Sequence, residues 1–150
     1  MKKKLLIGYG NPTRMDDGVG WYIAKMIRES ISDKVDVMEA DQLSVEMIED
    51  IKDRQVVIFV DAHVSEEDDW IRISEVEPDT KLGLTAHIVS PSNLLSICQS
   101  IYNRYPKAYL YSVKGVNFDF SEELSEQTRK SADEVIKLLS DIISDISKIK

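Results

Sequence analysis

Short apolar runs alternating with amphipathic helical stretches predict an α/β protein, built as a three-layer, doubly wound, mostly parallel five-stranded sheet with one antiparallel strand. Three observations carry this expectation. Val56-Val57-Ile58-Phe59-Val60 is apolar throughout, as a strand covered on both faces requires. Val19, Tyr22, Ile23, Met26 and Ile27 recur at helical spacing after the first apolar run. Finally, only residues 62 to 69 separate the run ending at Asp61 from the one opening at Trp70. A parallel crossover needs about a dozen residues or more, so this connection predicts a hairpin and an antiparallel fourth strand.

The elements follow in order. Residues 3 to 9 read as a buried strand, closed by the turn formers Gly8-Tyr9-Gly10-Asn11-Pro12. A helix is expected over residues 18 to 30 and a second strand over 35 to 40. Val45, Ile48 and Ile51 mark a short helix, and residues 55 to 61 the central strand. After the strand at 70 to 76, residues 77 to 85 read as loop. Ser90-Pro91 then combines an N-cap with proline in the first turn, predicting a helix to about Tyr105. Residues 108 to 113 form the fifth strand. The last helix is expected to open at Ser121, with Glu122 and Glu123 at its positive end and a stripe from Ala132 through Ile149.

The chain has 150 residues, 43% hydrophobic and 31% charged, which predicts one domain over residues 1 to 150. Cys98 is the only cysteine, which excludes a disulfide framework or a multi-cysteine zinc site within the chain. The formal net charge of −8, with no basic face, argues against nucleic acid. No apolar run approaches the ~20 residues of a membrane helix. Met1-Lys2-Lys3-Lys4 resembles the start of a signal peptide, but the apolar run ends at Gly8 with no small-residue cleavage site, so a cytoplasmic protein is expected. A monomer is expected as well.

Ligands of open α/β sheets bind outside the carboxyl ends of the strands. That selects Asp16 and Asp17 after the first strand, Asp61 at the end of the third, and His87 before the Ser90 helix. Asp17 also reads as an N-cap, Asp61 as a loop-capping aspartate, and His87 as an ordinary loop histidine. Together, two carboxylates and one imidazole make a mixed oxygen and nitrogen set for a divalent metal such as nickel or zinc, with positions left for water or substrate. His63, two residues past Asp61, is a candidate spare ligand. Lys114 and Arg14 are candidates to orient a peptide carboxylate.

Two other readings compete. The Gly8-Tyr9-Gly10 turn suggests a dinucleotide site, but Thr13 stands where the third glycine belongs and the helix begins too late. A phosphoacceptor receiver domain would use an acidic pair, Asp61 and Lys114. Here the pair lies several residues beyond its strand, and the antiparallel fourth strand disagrees.

The ordered motifs resemble the hydrogenase maturation proteases, nickel-dependent endopeptidases that trim the hydrogenase large subunit. Gly8-Tyr9-Gly10-Asn11-Pro12-Thr13-Arg14-Met15-Asp16-Asp17-Gly18-Val19-Gly20 is close to that family's G-x-G-N-x-x-x-x-D-[DE]-G-x-G. Val60-Asp61-Ala62 resembles its strand-end pair, and His87-Ile88-Val89-Ser90-Pro91 its histidine segment. Val113-Lys114-Gly115-Val116-Asn117-Phe118 and Leu124-Ser125 match a weaker C-terminal pattern. The resemblance implies a phosphorylase/hydrolase-like fold and removal of a C-terminal extension from the nickel-loaded large-subunit precursor. It implies metal contact and catalysis by Asp17, Asp61 and His87, and substrate contact by Asn11, Arg14 and Asp16. Nickel would arrive with the substrate, and other divalent metals are expected to substitute. A catalytically silent metal-binding or scaffold protein of the same fold is the alternative. The sequence departs from the pattern at Asp17, where some members carry Glu, and at His63-Val64-Ser65-Glu66-Glu67, which replaces a glycine-proline segment.

Overall fold

The computed structural model describes residues 1–79 and 89–145. His87, and Ile146 and Ile149 of the predicted last stripe, lie outside the described residues.

Five strands form one sheet: β1 (Lys4–Tyr9), β2 (Asp36–Ala40), β3 (Val56–His63), β4 (Ile71–Val76) and β5 (Lys107–Lys114). Their order is β2-β1-β3-β5-β4. The pairings β1–β2, β1–β3 and β3–β5 are parallel, and β4 runs antiparallel to β5. The expected mixed sheet is therefore present. The expected hairpin is not: β4 is antiparallel, but it pairs with β5, because both edges of β3 are already taken by β1 and β5. This strand order also differs from the 2-1-3-4-5 order of flavodoxin-like sheets, to which receiver domains belong.

Helices α1 (Val19–Ile31) and α4 (Glu126–Ser144) cover one face, and α2 (Ile48–Ile51) and α3 (Pro91–Tyr102) the other. Because strand side chains alternate, β3 feeds both cores. Ile58 and Val60 join Ile23, Ile27, Val135 and Leu139 under α1 and α4. Val57 and Phe59 join Ile51, Leu94, Leu95 and Cys98 under α2 and α3. Each such fully buried side chain contributes about 1.5–3 kcal/mol of transfer free energy. Cys98 is thus a core residue, as its position on the helical stripe predicts.

The α3 start is as expected. Ser90 Oγ accepts from the Asn93 N–H at 3.1 Å, and Asn93 Oδ1 accepts from the Ser90 N–H at 3.2 Å. The helix stops at Tyr102, three residues early, because Asn103 turns into the left-handed conformation with φ 56°. The last helix opens at Glu126 rather than Ser121. Ser121 is held instead by the loop after β1: its N–H donates to the Thr13 carbonyl at 3.0 Å, and its carbonyl accepts from Met15 at 2.8 Å. Among the described residues no helix is long and apolar enough to cross a membrane.

Candidate active site

The loop between β1 and α1 is forced into close contact with the strand ends. Gly20 lies in the first turn of α1, where a Cβ would be 2.7 Å from the carbonyl oxygens of both Tyr9 and Val60. Gly10 adopts φ +135°, and a Cβ there would meet the Asp17 carbonyl oxygen at 2.1 Å. Larger residues would push the loop off the sheet. Between these glycines, Met15–Gly18 forms a single 3-10 turn entered through Met15 at φ 46°. This turn separates its two neighbouring aspartates.

Asp17 is half-buried, and its Oδ2 accepts from the Asn11 N–H at 2.8 Å. It does not cap α1, whose N-cap is Gly18 without a side-chain bond. Asp61 sits at the end of β3, also half-buried, and its Oδ1 accepts from the Ala62 N–H at 2.7 Å. Burial pushes the Asp61 carboxyl up from 3.8 to about 6; the Ala62 N–H opposes this, the Asp17 charge adds to it, and a hydrogen bond with Tyr9 opposes it. Burial raises the Tyr9 phenol in turn, with the Asp61 charge and hydrogen bond adding to the effect. The structure thus brings Asp17 and Asp61 within electrostatic reach of each other.

Asp16 departs from its expected place at the substrate. Its side chain is fully buried. Oδ2 accepts from the Val116 and Asn117 N–H groups at 2.8 and 3.0 Å, and from the Ser125 and Thr128 hydroxyls at 2.7 and 3.0 Å. Oδ1 accepts from the Ser125 N–H at 2.8 Å. Burial alone raises this carboxyl, but the bonds from Ser125, Val116 and Asn117 outweigh it and hold it below the usual carboxylate range. Asp16 therefore fastens the start of α4 to the β1–α1 loop, which also explains the late opening of that helix.

Arg14 serves the same junction. Its Nε donates to the Phe118 carbonyl at 2.7 Å, and its guanidinium stacks 4.5 Å over the exposed Phe120 ring. The Asn11 Oδ1 is occupied by the Thr13 N–H and hydroxyl at 2.9 and 2.7 Å, a local turn that leaves the residue exposed. The Lys114 ammonium donates to the Glu67 carbonyl at 2.5 Å and lies 4.8 Å from the Trp70 ring centre. His63 ends β3 with both ring nitrogens engaged, Nδ1 with Ser112 Oγ at 2.8 Å and Nε2 with the Asp69 carbonyl at 2.9 Å.

Asp17 in the 3-10 turn and Asp61 at the end of β3 supply oxygen donors suited to a divalent cation. Among the described residues no three His, Cys, Asp or Glu side chains gather into a metal site. The expected third ligand, His87, lies outside the described residues. A cavity of about 540 Å³ is lined by Pro12, Met15 and Gly18 of the same loop together with Trp21, Leu124 and Arg129 among others; neither Asp17 nor Asp61 lines it.

Tyr9 is the site residue that sequence reasoning missed. It read only as the end of a strand. Its signal was available in the alternation, since Leu5, Ile7 and Tyr9 share one face of β1 and the face of Asp61 follows from Val57 and Phe59.

No protein-family model matches the chain, and no curated protein matches it. Solved structures do. A [NiFe] hydrogenase maturation protease, HycI from Thermococcus kodakarensis KOD1, superposes with a TM-score of 0.75 at 19% identity, over 96% of this chain and 94% of that one. The hydrogenase maturating endopeptidase HybD from E. coli gives 0.72 at 20% identity, over 95% and 92%. The hydrogenase 2 maturation peptidase from Thaumarchaeota archaeon SCGC_AB-539-E09 gives 0.68 at 23% identity, over 94% and 98%. The chain therefore has the α/β fold of these peptidases across nearly its whole length.

Proposed function

We propose that this chain is an endopeptidase that removes a C-terminal extension from a nickel-loaded hydrogenase large-subunit precursor. One observation carries the reading: on a fold shared with hydrogenase maturation peptidases, Asp61 stands at the mouth of the central strand, tuned to about 6 and facing the charge of Asp17. A carboxylate titrating near neutrality is suited to proton transfer. Burial without a full set of donors is what places it there.

In this reading Asp17, Asp61 and His87 would face the nickel that the precursor carries, and that metal would supply polarisation of the scissile carbonyl. Asp61 takes a proton from the attacking water and returns it to the leaving amine. Asp17 keeps a second negative charge beside it. The working compartment is the cytoplasm, where a precursor is completed before use.

The test is incubation with a purified nickel-loaded precursor and mass spectrometry of the product. Shortening by one C-terminal fragment, lost in Asp17→Asn and His87→Ala proteins that remain folded, supports the reading. An uncut precursor sinks it.

A further inference from the structure

The ends of β1, β3 and β5 set polar side chains in a row on the face covered by α3. The parallel register pairs Gly8 with Val60 and Asp61 with Ser112. One step beyond Gly8 and Val60, Tyr9 and Asp61 are neighbours on adjacent strands. Tyr9 packs against the cluster that holds Leu5, Ile7, Val57 and Phe59, so by alternation it shares a face with Asp61. Ala108 belongs to the same cluster, which puts Ser112 on that face too. Two hydroxyls therefore flank Asp61, one from each neighbouring strand.

They are not equivalent donors. The Asp69 carbonyl oxygen, 2.9 Å from His63 Nε2, can only accept, so in the neutral ring Nε2 carries the hydrogen and Nδ1 is an acceptor. The Ser112 hydroxyl, 2.8 Å from Nδ1, then donates to His63. Its hydrogen is committed. The same register sets the Tyr9 side chain beside Asp61, whose charge adds to burial in raising the Tyr9 phenol.

We propose that Tyr9 is a positioning residue for Asp61: its hydroxyl donates to the carboxylate while the Ala62 N–H holds Oδ1, fixing the side chain and leaving its other lone pairs for water and substrate. The inference rests on the peptidase reading for its consequence in catalysis, but the contact itself does not. A phenylalanine at this position would pack equally well and remove only the donor.

Tyr9→Phe is expected to lower kcat for precursor cleavage about 10- to 100-fold, the range for losing a hydrogen bond to a charged group, with KM unchanged and the melting temperature lowered by no more than about 6 °C. In an Asp61→Asn background the same change is expected to cost nothing further. Independently of activity, the Asp61 carboxylate carbon signal at pH 8 moves in Tyr9→Phe protein while that of Asp16 does not. A merely structural tyrosine would lower the melting temperature and leave the Asp61 signal in place. Wild-type kcat in Tyr9→Phe, or an unmoved Asp61 signal, overturns the proposal. If the unmodified protein cuts no precursor, the peptidase reading fails, and the carbon signal alone decides the Tyr9 contact.

Discussion

At the Met15–Gly18 turn the Asp16 carboxylate accepts hydrogen bonds from Val116, Asn117, Ser125 (twice) and Thr128, whereas at the end of β3 Asp61 accepts from the Ala62 N–H and has the Tyr9 side chain beside it. Both groups are removed from water, and burial pushes both upward. The number of donors decides the outcome. Asp16 is so well served that its charge is held on and its acidity strengthened. Asp61, with fewer donors and Asp17 nearby, keeps its proton until about pH 6. A saturated carboxylate is a fastener. An under-served one is available for chemistry.

The contrast breaks most visibly at Asp61. Asp61→Asn is expected to reduce precursor cleavage by about 10²- to 10⁴-fold, the usual scale for removing a general base, without lowering the melting temperature. Cleavage within a few-fold of wild type would mean that Asp61 is a capping residue, as Asp16 is.

At the other pole, Asp16→Ala leaves buried N–H and hydroxyl groups without an acceptor. Losing such a set costs about 3 kcal/mol or more, which for a chain of this size lowers the melting temperature by roughly 6–12 °C. A thermal scan reads it directly; an unchanged midpoint would show that water replaces the carboxylate freely.

Acid sharpens the same difference, because the two groups act with opposite sign. Asp16 has a lowered folded-state pKa, so its contribution to stability is present above the ordinary carboxylate range and is lost as pH falls through the folded value. Asp61 is raised, so the folded state holds a proton that the unfolded state has released between about pH 4 and 6. Its contribution is present below that window and lost as pH rises through about 6. Urea midpoints of Asp61→Asn protein should therefore fall less steeply than wild type across this window. The kcat/KM of the wild type for the precursor should decline below about pH 6, as Asp61 of the free enzyme becomes protonated. Parallel stability curves for the two proteins would contradict the raised value.

The smallest expected effect is at Arg14, which fastens the Asp16 side through the Phe118 carbonyl and the Phe120 ring. Arg14→Ala should cost about 1 kcal/mol, seen as a fall of roughly 2–4 °C, with KM for the precursor unchanged. A many-fold rise in KM at constant stability would instead restore Arg14 to the substrate-contacting role its motif implies.

Much of the fold was legible because it rests on local pattern. The apolar run at 56 to 60 became the central strand, the stripe from Val19 to Ile27 became α1, and Ser90-Pro91 became a capping box. The antiparallel sense of β4 followed from the shortness of its connection. Its partner did not, since adjacency depends on which edges other strands have already filled. The opening of α4 was misread for a similar reason: Glu122 and Glu123 have the composition of a first turn, but Thr13 and Met15, more than a hundred residues earlier, claim the backbone of Ser121.

The same division runs through the site. The sequence by itself determined that a carboxylate would stand at the end of the third strand and two more in the loop that follows the first, because buried apolar runs must end where polar residues begin. Residue chemistry does not rank Asp16 against Asp17, which are identical neighbours; only the motif resemblance separated them, giving metal contact to Asp17 and substrate contact to Asp16. The tertiary structure supplies the physical difference, by holding Asp16 among donors from the loop after β5 and the start of α4 and leaving Asp17 near Asp61. Acidity and hydrogen bonding are set by what surrounds a group in space, and those surroundings come from residues about a hundred positions away.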